Sequence, residues 1–140
     1  MGYAVKLDTN GTNPAFLKRI VEAGLVDYIA MDVKGPEDLY DRIAGVRVDL
    51  EAIRRSIKLI MELPVAYEFR TTLSPLLRET KHIAGTAAMI AGAGKYVLQQ
   101  FKPSKTLDTK TRLTIPWTTA KLEELRHEAL KFVAEVDMRP

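Results

Sequence analysis

Cysteine is absent from this 140-residue chain. That excludes disulfides and every thiolate-held metal or iron-sulfur site built from its own residues. No apolar run approaches the roughly 20 residues that a membrane-spanning helix needs, and Met1 to Lys6 lacks the layout of a signal peptide. Membrane association is therefore not indicated, and the cytoplasm is the default compartment. Lysine and arginine never form a block: the net charge of +3 arises from signs mixed along the whole chain, so nucleic-acid binding is not indicated either. What is present is an ample apolar fraction of 46%, enough for one buried core, with 28% charged residues to solvate its surface. The expectation is a single domain over residues 1–140.

Apolar periodicity switches repeatedly between strand and helix, which predicts an α/β fold with a parallel sheet. A first strand spans Ala4 to Asp8, followed by the turn-rich Thr9-Asn10-Gly11-Thr12. Asn13 and Pro14 then mark a helix start, with Phe16, Leu17, Ile20 and Val21 on one face and Gly24 as its stop. Tyr28 to Lys34 is apolar until its end, as a helix-covered strand would be, and Gly35-Pro36 closes it. A short amphipathic turn is predicted over Glu37 to Ile43. Asp49 caps a longer helix through Leu50, Ile53, Ile57 and Ile60. Val65 to Thr71 forms a third strand, a helix runs from about Glu79 to Ala91, and Tyr96 to Phe101 forms a fourth strand. Lys102 to Pro116 reads as a polar loop, and a last helix begins at Thr118 or Thr119 and carries Leu122, Leu125, Ala129, Phe132 and Val136 inward. The sum is four βα units.

Polar residues fall at the carboxyl ends of these strands: Asp8, then Asp32 and Lys34, then Arg70, then Gln100 with Lys102. Ligands of open α/β sheets and barrels bind at that end. Side chains alternate along a strand, so Asp32 and Lys34 share a face, as do Glu68 and Arg70. Each has a plainer account. Asp32 and Lys34 form an internal ion pair, although desolvating two charges for that alone is costly. Asp8 makes an Asx-turn, Arg70 neutralises Glu68, and Gln99 and Gln100 satisfy backbone groups. His82 and His127 lie on helices and read as surface residues.

The segments Leu7-Asp8-Thr9-Asn10-Gly11, Asp27 to Lys34, Phe69-Arg70-Thr71-Thr72 and Leu98 to Pro103 resemble the later strands of radical S-adenosylmethionine (SAM) enzymes. Within them the chain is most similar to the activating proteins of glycyl-radical enzymes. Gln99 to Pro103 and Lys105 to Asp108 favour the branch that serves anaerobic ribonucleoside-triphosphate reductase over the pyruvate formate-lyase branch. The resemblance spans essentially the whole chain. It implies a partial TIM-like barrel, with this chain supplying four βα units of a (β/α)6 barrel and the N-terminal units missing. It also implies two cofactors, SAM and a 4Fe-4S cluster held by an N-terminal C-x-x-x-C-x-x-C loop that is not present here.

By position, Asp8 and Thr9 would meet the aminoacyl side of SAM and Asp32 its ribose side. Lys34 and Arg70 would meet the SAM carboxylate or the substrate peptide, and Gln100 stands at the fourth strand tip of the same site. Intact family members cleave SAM reductively to a 5′-deoxyadenosyl radical, which takes hydrogen from a glycine of the partner enzyme. This chain alone, without cluster cysteines, is expected to be inactive, as a truncated reading frame or one half of a split enzyme would be. Where the pyruvate formate-lyase branch has a histidine beyond its last strand, Lys102-Pro103-Ser104 stands here, which leaves the adenine side open. An uncovered first strand would favour a homo-oligomer or poor solubility. Two other readings stand beside this one. Asp32-Val33-Lys34-Gly35-Pro36-Glu37 resembles the D-x-K-x-x-D strand end of the orotidine-phosphate decarboxylase group, with Glu37 in place of the last Asp. The third is a non-catalytic α/β interaction domain.

Overall fold

Side chains alternate across a strand, so a sheet covered by helices on one face only should carry apolar residues at every second position. A computed structural model, which describes residues 2–101 and 117–140, shows that arrangement. Five parallel strands lie in sequence order: β1 (Lys6–Thr9), β2 (Tyr28–Asp32), β3 (Ala66–Leu73), β4 (Tyr96–Gln100) and β5 (Val136–Arg139). The described helices are α1 (Pro14–Glu22), α2 (Tyr40–Ala44) preceded by a 3-10 turn at Glu37–Leu39, α3 (Leu50–Glu62), α4 (Thr80–Met89) and α5 (Thr119–Ala129). Lys102 to Pro116, with the expected polar loop, lies outside the described residues.

The fifth strand corrects the expectation of four. Phe132 and Val136 continue the spacing of the last helix, yet α5 stops at Ala129 and Val136–Arg139 pairs with β4. A spacing of four is an even number, so it suits one face of a strand as well as one face of a helix. Four residues are too few for the alternation of Val136 and Met138 with Asp137 and Arg139 to declare itself. Elsewhere the caps behave as their chemistry dictates. Asn13 Oδ1 accepts from the Phe16 amide, Asp49 Oδ1 from the Glu51 and Ala52 amides, and the Thr118 hydroxyl from the Lys121 amide.

The pairing register sorts the strand residues into two faces. Leu7, Ile29, Met31, Phe69, Leu73, Tyr96, Leu98 and Val136 share one, and they join the core with Leu17 and Val21 of α1, Ile53, Ile57 and Ile60 of α3, Ile83 of α4 and Leu125 of α5. The opposite face carries Lys6, Asp8, Tyr28, Asp32, Glu68, Arg70, Thr72, Gln99 and Arg139. Helices cover one face, and the other combines these polar residues with buried Ala30 and Val97, an arrangement compatible with a partial barrel.

Two local devices hold the strand tips. Tyr96 Oη donates to Thr71 Oγ1 at 2.6 Å, and that hydroxyl donates to the Val33 carbonyl at 2.7 Å, all within the core. The Val33 amide donates to the Arg70 carbonyl at 2.8 Å, so the segment that carries Asp32 and Lys34 is clamped to β3. Burial raises the Tyr96 phenol far above its ordinary range, which keeps it a neutral donor. At the tip of β1, Gly11 has φ +73°, and its carbonyl accepts from buried Ser56 of α3 at 2.7 Å. A Cβ there would collide with the Met31 side chain. Gly11→Ala is therefore expected to cost about 1–3 kcal/mol in denaturant unfolding, through left-handed strain and overpacking together. A loss below about 0.5 kcal/mol would contradict this account of the turn.

Candidate functional site at the strand carboxyl ends

Three of the charges picked out at the strand ends meet on the polar face. Arg70 Nη2 lies 3.5 Å from Asp8 Oδ1, and Arg70 Nε lies 3.4 Å from Asp32 Oδ1. The register explains this: Asp32 pairs directly with Arg70, and Asp8 with Ala30, two residues before Asp32 on the same face. Ala30 has no side chain long enough to separate them. Arg70 is 17% exposed, against 64% for Asp8 and 42% for Asp32, so the guanidinium lies deepest. Its Nε is buried and, despite Asp32 nearby, finds no aligned hydrogen bond.

Lys34, two residues beyond Asp32, is half-buried and has no carboxylate within ion-pair distance among the described residues. The internal Asp32–Lys34 pair is thus not formed. Lys34 lines a cavity of about 270 Å³ together with Asp32, Arg70, Thr72, Ser74 and Phe101. The hydroxyl of Ser74 is also buried, without a partner among the described residues. Arg70 and Ser74, both lining residues, thus each keep a buried polar atom without an aligned partner among the described residues, which is costly for a group buried alone.

Thr9 and Gln100 do not join this cluster. Both alternate onto the helix-covered face, where Gln100 pairs in register with Leu73, while Gln99 takes the polar face beside Thr72. The Thr9 hydroxyl accepts from the Gly11 amide at 3.1 Å, and Asn10 Oδ1 accepts from the Thr12 amide and hydroxyl. The turn after β1 is therefore built by Thr9 and Asn10, and Asp8 is left to face Arg70. Lys102 lies outside the described residues.

Glu68 turns away from Arg70 to a partner that sequence reasoning missed. Only 2% of its side chain is exposed; it accepts from Arg139 Nη1 at 3.0 Å and Nη2 at 3.3 Å, and from Tyr28 Oη at 2.8 Å. Burial acts to raise the Glu68 carboxyl, but hydrogen bonds from Tyr28 and Arg139 outweigh it and hold the group below the usual carboxylate range. Burial, then the bond to Glu68, pushes the Tyr28 phenol up to about 12. Lys6 Nζ stands 5.6 Å over the Tyr28 ring. This network runs across the polar face from Tyr28 at the start of β2 to Arg139 at the end of β5 and joins β2, β3 and β5.

Glu37 is held by Arg54 of α3 at 2.8 Å, and that bond keeps its carboxyl below the ordinary value. An acid-lysine-acid alignment with Lys34 is not assembled. His127 is exposed, whereas half-buried His82 accepts from the Glu79 amide through Nδ1 in the capping box of α4. Among the described residues no three His, Cys, Asp or Glu side chains gather to hold a metal, and no helix is long and apolar enough to cross a membrane.

No family model matches the chain. A curated protein of Methanocaldococcus jannaschii, provisionally named a glycyl-radical enzyme activating enzyme, is 34% identical over 143 aligned positions. These cover 99% of the chain and 59% of that relative, so the chain spans about three fifths of the relative's length. Over nearly all its residues, then, the chain is similar to part of a glycyl-radical enzyme activating protein, the group its strand-end segments resemble.

Proposed function

We propose that this chain is the SAM-binding part of a radical SAM activating enzyme, which installs a glycyl radical on a partner enzyme. The observation that carries the reading is the cavity at the strand carboxyl ends, where Asp32, Lys34 and Arg70 converge in one lining. The likeness to an activating enzyme supports it.

The residues present fit SAM. Its amino-acid end carries one carboxylate and one ammonium beside a sulfonium, and the cluster offers two cations and two carboxylates. Lys34 and Arg70 would take the carboxylate, Arg70 through its rigid fork of donors. Asp32 would accept from the ribose hydroxyls, and Asp8, the most exposed member, would face the ammonium. Thr9 enters through the turn that it holds after β1, and Gln100 only by its place at the tip of β4. Bound SAM would supply the radical chemistry, and these side chains orient it and exclude water.

The 4Fe-4S cluster does not fit this chain. Such clusters need thiolate ligands, and the sequence holds no cysteine. Its ligands would lie outside these 140 residues, and no electron-transfer step is assigned to the groups described. Beyond β1 no further strand pairs among the described residues, and Tyr3 and Val5 beside that edge are exposed. A strand of the cluster-bearing part, or of a second copy, would add there. The partner is a glycyl-radical enzyme of the anaerobic ribonucleotide reductase or pyruvate formate-lyase type, in a cytoplasmic setting.

Calorimetric titration with SAM tests the reading. Weak, saturable binding is expected, because contacts from SAM to a cluster are absent. Lys34→Ala should weaken it about tenfold, the loss of one charge-assisted hydrogen bond at a half-buried site. Equal affinity before and after that change would refute the assignment.

A further inference from the structure

The lining of the strand-end cavity divides by chemistry. Asp32, Lys34, Arg70, Thr72 and Ser74 are polar, and Val33, Ile43 and Phe101 are apolar. Of these only Ile43 stands on a helix, α2, one turn after Tyr40, whose buried side chain seats that helix in the core. Gly45, at φ +75°, ends α2, and Asp41 Oδ1 accepts from the Val48 amide at 2.8 Å just beyond it.

The segment that follows Lys34 is crowded from two sides. Gly35 is buried and has no positive φ, so space and not backbone conformation demands glycine there. A Cβ on it would stand 2.5 Å from Ile43 Cδ1 and 3.3 Å from Leu77 Cδ2, whereas carbon atoms pack best at about 3.5–4.0 Å. Pro36, also buried, presses on α4 at Gly85, where a Cβ would stand 3.0 Å from Pro36 Cβ. Glycine inside a helix is ordinarily unfavourable, and this close approach accounts for it. Val33, on the other side of Lys34, is bonded to β3 through both its amide and its carbonyl. Lys34 is thus held by its neighbours in the chain on both flanks.

We infer that Ile43 is a positioning residue for this site: lying over Gly35, it closes the apolar side of the cavity and sets where the Lys34 segment rests. A Cβ at residue 35 can be fitted only by moving Ile43 or that segment, and Ile43 and Lys34 both line the cavity. Ile43→Val removes Cδ1 alone and makes room for it, since Ile43 Cγ1 would lie at an ordinary 3.9 Å. The effect on cavity shape stands on packing alone, and the effect on SAM rests on the proposed binding.

Amide NMR of the ligand-free chain, calorimetric titration with SAM and urea unfolding, applied to wild type, Gly35→Ala, Ile43→Val and the double variant, test this. The amides of Arg70, Thr72, Ser74 and Phe101, none of them a chain neighbour of residue 35, should shift in Gly35→Ala and return in the double variant to their Ile43→Val positions. SAM affinity should fall about fivefold or more in Gly35→Ala and recover in the double variant to within about twofold of Ile43→Val. Ile43→Ala leaves residues 33–36 unaltered; it should move the same amides and lower affinity about threefold or more, which keeps the test decisive if Gly35→Ala does not fold. Unmoved amides in Gly35→Ala or Ile43→Ala would overturn the inference, as would a double variant that keeps the full Gly35→Ala loss. A lower urea midpoint with SAM affinity intact would overturn it too, and leave Ile43 to core packing. If the amides move and return while wild type takes up no SAM, the positioning role stands and the SAM assignment falls.

Discussion

Replacing Arg139 with methionine is expected to destabilise the domain by about 2–3 kcal/mol at neutral pH. Breaking a buried pair by removing one partner typically costs about 3–5 kcal/mol, because the remaining charge stays desolvated. Here the figure is lowered by two facts: Arg139 is 35% exposed, and Tyr28 still donates to Glu68. The loss depends on pH in a stated direction. Glu68 sits below the ordinary value of 4.5 in the folded protein, so its contribution is fully present above that value. It is lost as pH falls through the depressed folded value, because the unfolded chain takes up the proton first. The gap between wild type and Arg139→Met should therefore be largest above about pH 5 and shrink in acid. Adding Glu68→Met should restore much of the stability, since an apolar pair leaves no orphan charge. Urea unfolding across that pH range measures all three, and a gap that grows in acid would contradict the sign.

Arg70→Met should behave in the opposite way, with little loss of stability and a large loss of SAM affinity. Its partners Asp8 and Asp32 are 64% and 42% exposed, so both remain hydrated once the guanidinium is gone, and a screened pair of this kind is worth about 1 kcal/mol or less. A bound carboxylate would lose a charge-assisted partner and face two uncompensated acids, so affinity should fall at least about tenfold. Arg70→Lys keeps the charge without the fork and should recover part of it. If Arg70→Met unfolds the domain as readily as Arg139→Met while SAM binding persists, Arg70 is a structural brace only.

Much of this fold could be read from local chemistry. Asn13, Asp49 and Thr118 cap their helices through one side-chain oxygen each, a decision taken within three residues. The placement of charge at strand ends was equally visible, because Asp32 and Lys34 interrupt an otherwise apolar run. What could not be read depends on register. Asp8 meets Arg70 only because the register of β1, β2 and β3 sets it two residues before the Asp32–Arg70 pair on the same face, across the small Ala30, and nothing within β1 states that. The same register turns Thr9 and Gln100 to the helix face. Arg139 was hidden for another reason: a four-residue strand after a helix inherits the helix's spacing, so Val136 was read as helical and the strand that carries the partner of buried Glu68 went unseen.

The central claim is that the polar face at the strand carboxyl ends, and no other surface, receives SAM. Two-dimensional amide NMR of the isotopically labelled chain, titrated with SAM to saturation, tests it most directly. Shifts confined to Asp8, Asp32 to Lys34, Arg70 to Ser74 and their strand-tip neighbours are predicted, with S-adenosylhomocysteine, which lacks the sulfonium charge, moving the same residues more weakly. Shifts centred on the helix-covered side, around Arg54 and Lys58 of α3, or no saturable change at all, would contradict it.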